Sequence, residues 1–286
     1  PAGGVVGMVE AARRAGLDRL VGFDMGGTST DVSAWSGDYE RSNDSVIAGV
    51  RLRAPMMKIH TIAAGGGSVL RFADGRFQAG PESAGAQPGP LCYRQGGPLT
   101  VTDANVLLGR IPVRFFPAVF GRDHDAPLDA DAVRAAFAQL AKDVSRESAA
   151  AMSAEQVAAG FLTVAIESMA NAIRKITIER GDDVRDFTLC CFGGAGGQHA
   201  CRVAETLGMR RIWLHPLAGV LSAYGMGLAD LRAERQCSVD LPLNVDNVQR
   251  LHAMAKDMQR ACTDELAAQQ VPEVRRRVSA HCGLRV

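Results

Sequence analysis

The chain has 286 residues, 47% of them hydrophobic, 22% charged and only 5% aromatic, with a formal net charge of +1. That length suits one large or two small domains around a sizeable core. The near-neutral balance offers no electrostatic surface for nucleic acid or an anionic membrane. With no run of about 18 apolar residues, no transmembrane helix is expected.

The first segment, PAGGVVGMVEAARRAG, predicts a short helix from Val5 to Ala15 closed by Gly16. It lacks an initiator Met and the order of a secretory signal, so the chain is expected to be cut from a longer one. Leu20–Asp24 and Asp31–Trp35 alternate like paired strands around the turn MGGTST. Residues 45–58 read as a further strand pair or one bent strand, with Pro55 limiting ladder pairing. HTIAAGGGSVLRF is a strand broken by three glycines and resumed at Val69, and Asp74-Gly75 marks a hairpin turn. Gly80 to Gly97 reads as a long irregular loop, the kind that is more often functional than idle. LTVTDANVLLGRI follows as a strand running into a short helix capped by Asp103 and ended by Gly109.

Asp129 or Asp131 opens the next helix, through Val144, and Ser153-x-x-Gln156 is a capping box for a long helix to about Arg180, stopped at Gly181. The continuous apolar run Phe187–Phe192 marks a buried central strand. It enters the loop GGAGGQ and a helix closed by Gly208. RRIWLHP is expected to be another buried strand, LAGVLSAYGMGLADL a helix, and Asn244–Gln270 an amphipathic helix. Seven cysteines, odd in number and without a C-x-x-C pair, predict reduced thiols in a cytoplasmic protein.

Chemistry concentrates in the glycine segments. In Asp24-Met-Gly26-Gly27-Thr28-Ser-Thr30-Asp31, glycine lets a backbone approach a ligand closely, and successive N–H groups can form an anion-binding nest. Thr28 and Thr30 add hydroxyls. A carboxylate at Asp24 would repel bare phosphate but suits a hydrated Mg²⁺ that bridges phosphate oxygens. An isolated glycine pair reads equally as a hairpin turn with solvated Thr and Asp. Gly193, Gly194, Gly196 and Gly197 lie between a buried strand and a helix, the setting in which a helix N-terminus receives a nucleotide. They match neither G-x-x-x-x-G-K-[ST] nor G-x-G-x-x-G. Two such loops suggest a nucleotide gripped from two sides.

GFDMGGTSTDVS, HTIAAGGGSVLRF, GPESAGAQPGPLCYRQGGPLTVTDANVLLGRI and CFGGAGGQHACRVAETLGMRRIWLHPLAGVLSAYGMGLADLRAE resemble the hydantoinase/oxoprolinase family. FFPAVFG before PLDADAVRA favours its 5-oxoproline-opening branch over the N-methylhydantoin and ketone-carboxylating ones. The resemblance covers residues 1–235, a hydantoinase A-type nucleotide-binding domain, and 236–286 would begin a further region. It implies an α/β fold: one actin/hexokinase-like (ribonuclease-H-like) ATPase lobe, a mixed sheet with flanking helices. It implies ATP and Mg²⁺, and ring opening of 5-oxo-L-proline to glutamate through phosphorylation of the amide oxygen. The partners implied are a small cyclic amide, an N-terminal lobe, a C-terminal hydantoinase B-type region and further copies of the chain.

By the same resemblance Asp24 holds Mg²⁺ through water, while Gly26, Gly27, Thr28 and Thr30 donate to phosphate. Asp31 is either a second metal-side acid or a brace for the turn. Gly193, Gly194, Gly196 and Gly197 form the adenosine-side loop. Gly65, Gly66 and Gly67 are another close-approach loop or a strand bulge. His60, Cys92, Asp103 and His199 stand in the matching motifs as candidates for acid/base work, substrate contact or metal ligation. The bland alternative for each is a satisfied structural role, with Asp103 as a helix N-cap.

Overall fold

The computed structural model describes residues 1–47, 50–148 and 150–283. They fall into two units, Pro1–Leu228 and Ala229–Val286. The first opens with helix α1 (Ala2–Arg14), which starts ahead of Val5 and is followed, after Ala15, by Gly16 at φ +74°. Strands β1 (Leu20–Met25) and β2 (Thr30–Trp35) form the expected antiparallel pair, Asp24 opposite Asp31 and Met25 opposite Thr30. β3 (Arg41–Ile47) and β4 (Val50–Met57) make a separate antiparallel pair, so residues 45–58 belong to a hairpin; its residues 48 and 49 lie outside those described. β5 (His60–Ile62) is a short edge strand beside β2.

β6 (Ser68–Ala73) and β7 (Arg76–Ser83) form a second hairpin, turned by Asp74 and Gly75 at φ 52° and 69°. Positive φ at both central residues matches the right-handed twist of the strands they join. β7 claims residues 80–83, which the sequence reading assigns to a loop. Gly80 and Pro81 fit a strand here because the ladder is interrupted between Ser68 and Leu70, and a bulge needs no N–H from Pro. α2 (Val101–Leu107) follows, then α3 (Ala130–Ser148) and α4 (Ala154–Ile178). The Ser153 box is formed: Gln156 N–H donates to Ser153 Oγ at 3.2 Å and Ser153 N–H to Gln156 Oε1 at 2.8 Å. β8 (Thr188–Phe192), α5 (Ala200–Leu207), β9 (Arg211–Leu214) and α6 (Leu221–Leu228) complete the unit.

The main sheet runs β5-β2-β1-β8-β9, antiparallel among the first three and parallel from β1 to β9. This is the ribonuclease-H-like arrangement. Alternation along β1 sends Val21, Phe23 and Met25 into the larger core with α4, and Leu20 into a smaller core with α1 and Phe192. α4 is long and apolar enough to cross a membrane by length and composition, but Phe161, Met169 and Ile173 on it are wholly buried in the larger core. On the other face α1 and α6 touch backbone to backbone, since a Cβ on Gly7 would stand 2.6 Å from the Leu221 carbonyl oxygen. β9 corrects an expectation: it is an edge strand with Ile212 and Leu214 41% and 58% exposed, because it has a strand neighbour on one side only. The second unit holds α7 (Val245–Ala268), capped by Asn244, whose Oδ1 accepts from Asn247 N–H at 2.8 Å.

Candidate functional site

β1 and β8 run parallel with Asp24 level with Phe192, so the loops that follow them leave the same end of the sheet. Ligands of open α/β sheets bind beyond the carboxyl ends of strands in this way. The 193–197 loop is seated on the end of β1: Ala195 N–H donates to the Met25 carbonyl at 3.0 Å. Gly193 has φ +83°, and a Cβ there would stand 2.5 Å from Asp24 Oδ1 and closer still to the Met25 carbonyl oxygen. Only glycine permits both the turn and the approach.

A third glycine segment closes on the same turn. Gly66 N–H donates to the Gly26 carbonyl at 3.1 Å and Gly67 N–H to the Gly27 carbonyl at 2.6 Å. A Cβ on Gly65 would meet Thr28 C at 2.6 Å and Ser29 N at 2.7 Å. Gly65, Gly66 and Gly67 are therefore a close-approach loop that braces the turn from Gly26 to Ser29. By contrast, apart from the adjoining residues of the chain, no atom of the described residues lies within 4 Å of where a Cβ would stand on Gly27, Gly194 or Gly197. These three and Thr28 are exposed, on segments that the buried glycines hold together.

Asp24 and Asp31 face one another across the β1–β2 ladder, on the α1 side of the sheet. Burial, and the Asp31 carboxylate beside it, raise Asp24 above the usual carboxylate range. Thr61 Oγ1 donates to Asp31 Oδ1 at 2.5 Å, so Asp31 is at least a braced acid. Among the described residues no three His, Cys, Asp or Glu side chains gather to hold a metal. Paired carboxylates that repel each other do fit a hard dication whose remaining ligands are phosphate and water oxygens.

Several candidates are placed elsewhere. Thr30 is fully buried and its hydroxyl donates to the Ala64 carbonyl at 2.5 Å, which leaves none for phosphate. Its pairing with Met25 already puts it on the core face. His60 pairs with Val32, so the pleat directs it to the opposite face from Asp24 and Asp31. Asp103 is not the N-cap of α2: Thr100 is, with Asp103 three residues on. Wholly buried, the Asp103 carboxylate accepts from Thr100 N–H at 2.8 Å, Thr100 Oγ1 at 2.9 Å, Cys92 N–H at 2.8 Å and Leu91 N–H at 3.1 Å. That is a loop clasp with no capacity left for substrate. Cys92 is buried against it, and burial with the Asp103 charge pushes its thiol well above the ordinary range, so it stands as a protonated, buried thiol. His199 is also wholly buried; Nε2 meets Asn105 Nδ2 at 3.1 Å, and burial with the Arg110 charge pushes the imidazole down to about 4.

Two contributors escape sequence reasoning. Gly4 of α1 lies where a Cβ would be 3.4 Å from Asp24 Oδ2 and 2.8 Å from Ser222 Oγ, so α1 and α6 wall the acid from behind. The dense glycines of the first helix are the only hint of it. Asn105 leaves no sequence signature.

A ribonuclease-H-like sheet with glycine loops at the ends of β1 and β8 is the architecture of one lobe of an actin/hexokinase-like ATPase. The hydantoinase/oxoprolinase family profile matches residues 1–235, and the chain belongs to that family. It is 49% identical over 243 residues to 5-oxoprolinase 1 of Arabidopsis thaliana, covering 82% of this chain and 19% of that protein. To the 5-oxoprolinase of Dictyostelium discoideum it is 41% identical over 290 residues, 96% of this chain and 23% of that one. The crystal structure of the ATP-dependent caprolactamase from Pseudomonas jessenii matches with a TM-score of 0.75 at 33% identity, over 93% of this chain and 38% of the other. The chain thus spans about a fifth of the length of these curated relatives.

Proposed function

We propose that this chain is the phosphate-gripping lobe of an ATP-dependent cyclic-amide hydrolase that opens 5-oxo-L-proline to L-glutamate. The observation that carries the reading is the seating of two glycine segments, at Gly193 and Gly65, against the Asp24–Asp31 turn. A solvated hairpin turn needs neither contact. The relatives named as 5-oxoprolinases and the caprolactamase described as ATP-dependent support the substrate class and the use of ATP.

In this reading Gly27 and Thr28 offer backbone and hydroxyl donors to the phosphate tail and Gly194 and Gly197 face the nucleotide from the β8 side, while Gly26, whose N–H is held by the Ser29 carbonyl at 3.0 Å, closes the turn and Gly196, buried against Cys191, seats the loop. Asp24, with Asp31 beside it, would hold Mg²⁺, and the ion would supply neutralisation of phosphate charge. The rest of the protein supplies the facing lobe, the hydantoinase B-type region and the pocket for the amide. A lactam is a poor electrophile, and transfer of the γ-phosphoryl group to its oxygen makes the carbon open to water. Such transfer depends on positioning and charge neutralisation, so the exposed donors and Asp24 should govern turnover.

The test is ADP release by the whole protein offered 5-oxoproline, hydantoins or ketones in turn. Release with 5-oxoproline, lowered at least about a hundredfold in Asp24→Asn, is the expected result. Release only with hydantoins or ketones would assign the chain to another branch of the family.

A further inference from the structure

The two loops that meet at the turn are also tied to one short helix. Thr102, in the first turn of α2, holds the Gly66 carbonyl twice, through its N–H at 2.8 Å and its Oγ1 at 2.8 Å. Asn105 is three residues on, hence on the same face of α2. Its Nδ2 reaches Gln198 Oε1 at 3.2 Å and His199 Nε2 at 3.1 Å. Gln198 and His199 directly follow the 193–197 loop. The loop's own anchors are few: Gly193 N–H to the Ala218 carbonyl at 3.1 Å, Ala195 N–H to the Met25 carbonyl at 3.0 Å and His199 N–H to the Gly196 carbonyl at 3.0 Å.

The chemistry of the Asn105 contact is specific. A carboxamide nitrogen carries two hydrogens, and here both meet acceptors. With the carboxamide in this orientation His199 presents a bare Nε2 and carries its proton on Nδ1, and neither Nδ1 nor Asn105 Oδ1 has a hydrogen-bond partner among the described residues. Both Asn105 and His199 are wholly buried, so water cannot replace either bond, and leaving such groups unpaired costs more than the bond itself contributes.

We propose that Asn105 is a positioning residue for the cradle: from α2 it fixes Gln198 and the Nδ1–H tautomer of His199, and so sets the 193–197 loop against the segment held by Thr102. This rests on the nucleotide reading for its purpose, but not for its structural content. Asn105→Leu removes both donors at similar size. Asn105→Asp sets a carboxylate against two acceptors, which His199 can answer by moving its proton to Nε2.

The experiment is amide hydrogen exchange and imidazole ¹⁵N NMR on the 286-residue chain, with a parallel titration of Mg-ATP. In Asn105→Leu the amides of Ala195 and His199 should exchange at least about tenfold faster, the size of one lost buried hydrogen bond, while those of the α4 core stay unchanged. In Asn105→Asp the His199 ring should report Nε2–H in place of Nδ1–H. Weaker Mg-ATP binding by Asn105→Leu than by the wild type supports the positioning role. Wild-type exchange rates at Ala195 and His199 in a folded Asn105→Leu overturn it; if that variant does not fold, an unchanged His199 tautomer in Asn105→Asp does so instead. A wild-type chain that ignores Mg-ATP, while Asn105→Leu still loosens the loop, would defeat the nucleotide reading and leave the strut standing.

Discussion

His199 is held neutral by its surroundings, and that has a measurable consequence. The imidazole sits near 4 in the folded chain against 6.5 for the free side chain, through burial and the Arg110 charge; Asn105 and Gln198, its other polar neighbours, are uncharged. Between those values the unfolded chain binds a proton that the folded one refuses, so stability is lost as pH falls from 6.5 towards 4 and is complete above 6.5. The full shift corresponds to about 3 kcal/mol. Asp24 and Asp103 are raised in the folded state, and their contribution runs the opposite way. The readout is therefore the difference between wild type and His199→Gln in urea unfolding at pH 4.5 and pH 7, and a difference that does not change with pH would refute this account of the histidine. Gly193→Ala belongs to the same scale. It adds a Cβ at φ +83° against the Asp24 carboxylate, so the expected loss is at least about 2 kcal/mol, seen as a lower urea midpoint with unchanged slope.

Elements were legible where one physical signal acts alone. The Ser153–Gln156 box, the Asp74-Gly75 turn and the glycine stops at positions 16, 109, 181 and 208, all with positive φ, are local chemistry that tertiary contacts do not override. Ser153→Ala should lower stability by about 1 kcal/mol and the melting temperature by about 2–4 °C for a unit of this size; no change in the melt would mean that the box contributes nothing. Where long-range packing decides, the sequence pattern misled. β9 has the composition of a buried strand but lies at the edge of the sheet with Ile212 and Leu214 exposed. The bulge opposite Val69 turned a Gly-Pro pair that looks like loop into part of β7. Thr100 and Asp103 carry the spacing of a capping box, and it is Thr100, three residues ahead of the acid, that caps α2.

At the scale of the molecule, the glycine loops were readable because a backbone that must approach another backbone admits no other residue, and three distant segments carry that mark. What each side chain does was less readable. Thr30 shares a motif with Asp24, and Asp103 and His199 stand in two of the other matching motifs, yet each is wholly buried and committed to other protein atoms. A linear motif does not separate residues that face the ligand from those that hold up the ones that do. Contact therefore falls to the exposed and half-buried set of Asp24, Gly27, Thr28, Gly194 and Gly197, and support to the buried set and to Gly26, whose N–H and carbonyl are held by Ser29 and Gly66. The most direct measurement is a titration of the ¹⁵N-labelled chain with Mg-ADP, followed amide by amide. The expected result is a saturable shift at Gly27, Thr28, Gly194 and Gly197 that Asp24→Asn weakens. Saturable shifts clustered away from both loops, or the same affinity in Asp24→Asn, would contradict the claim that this turn grips the nucleotide.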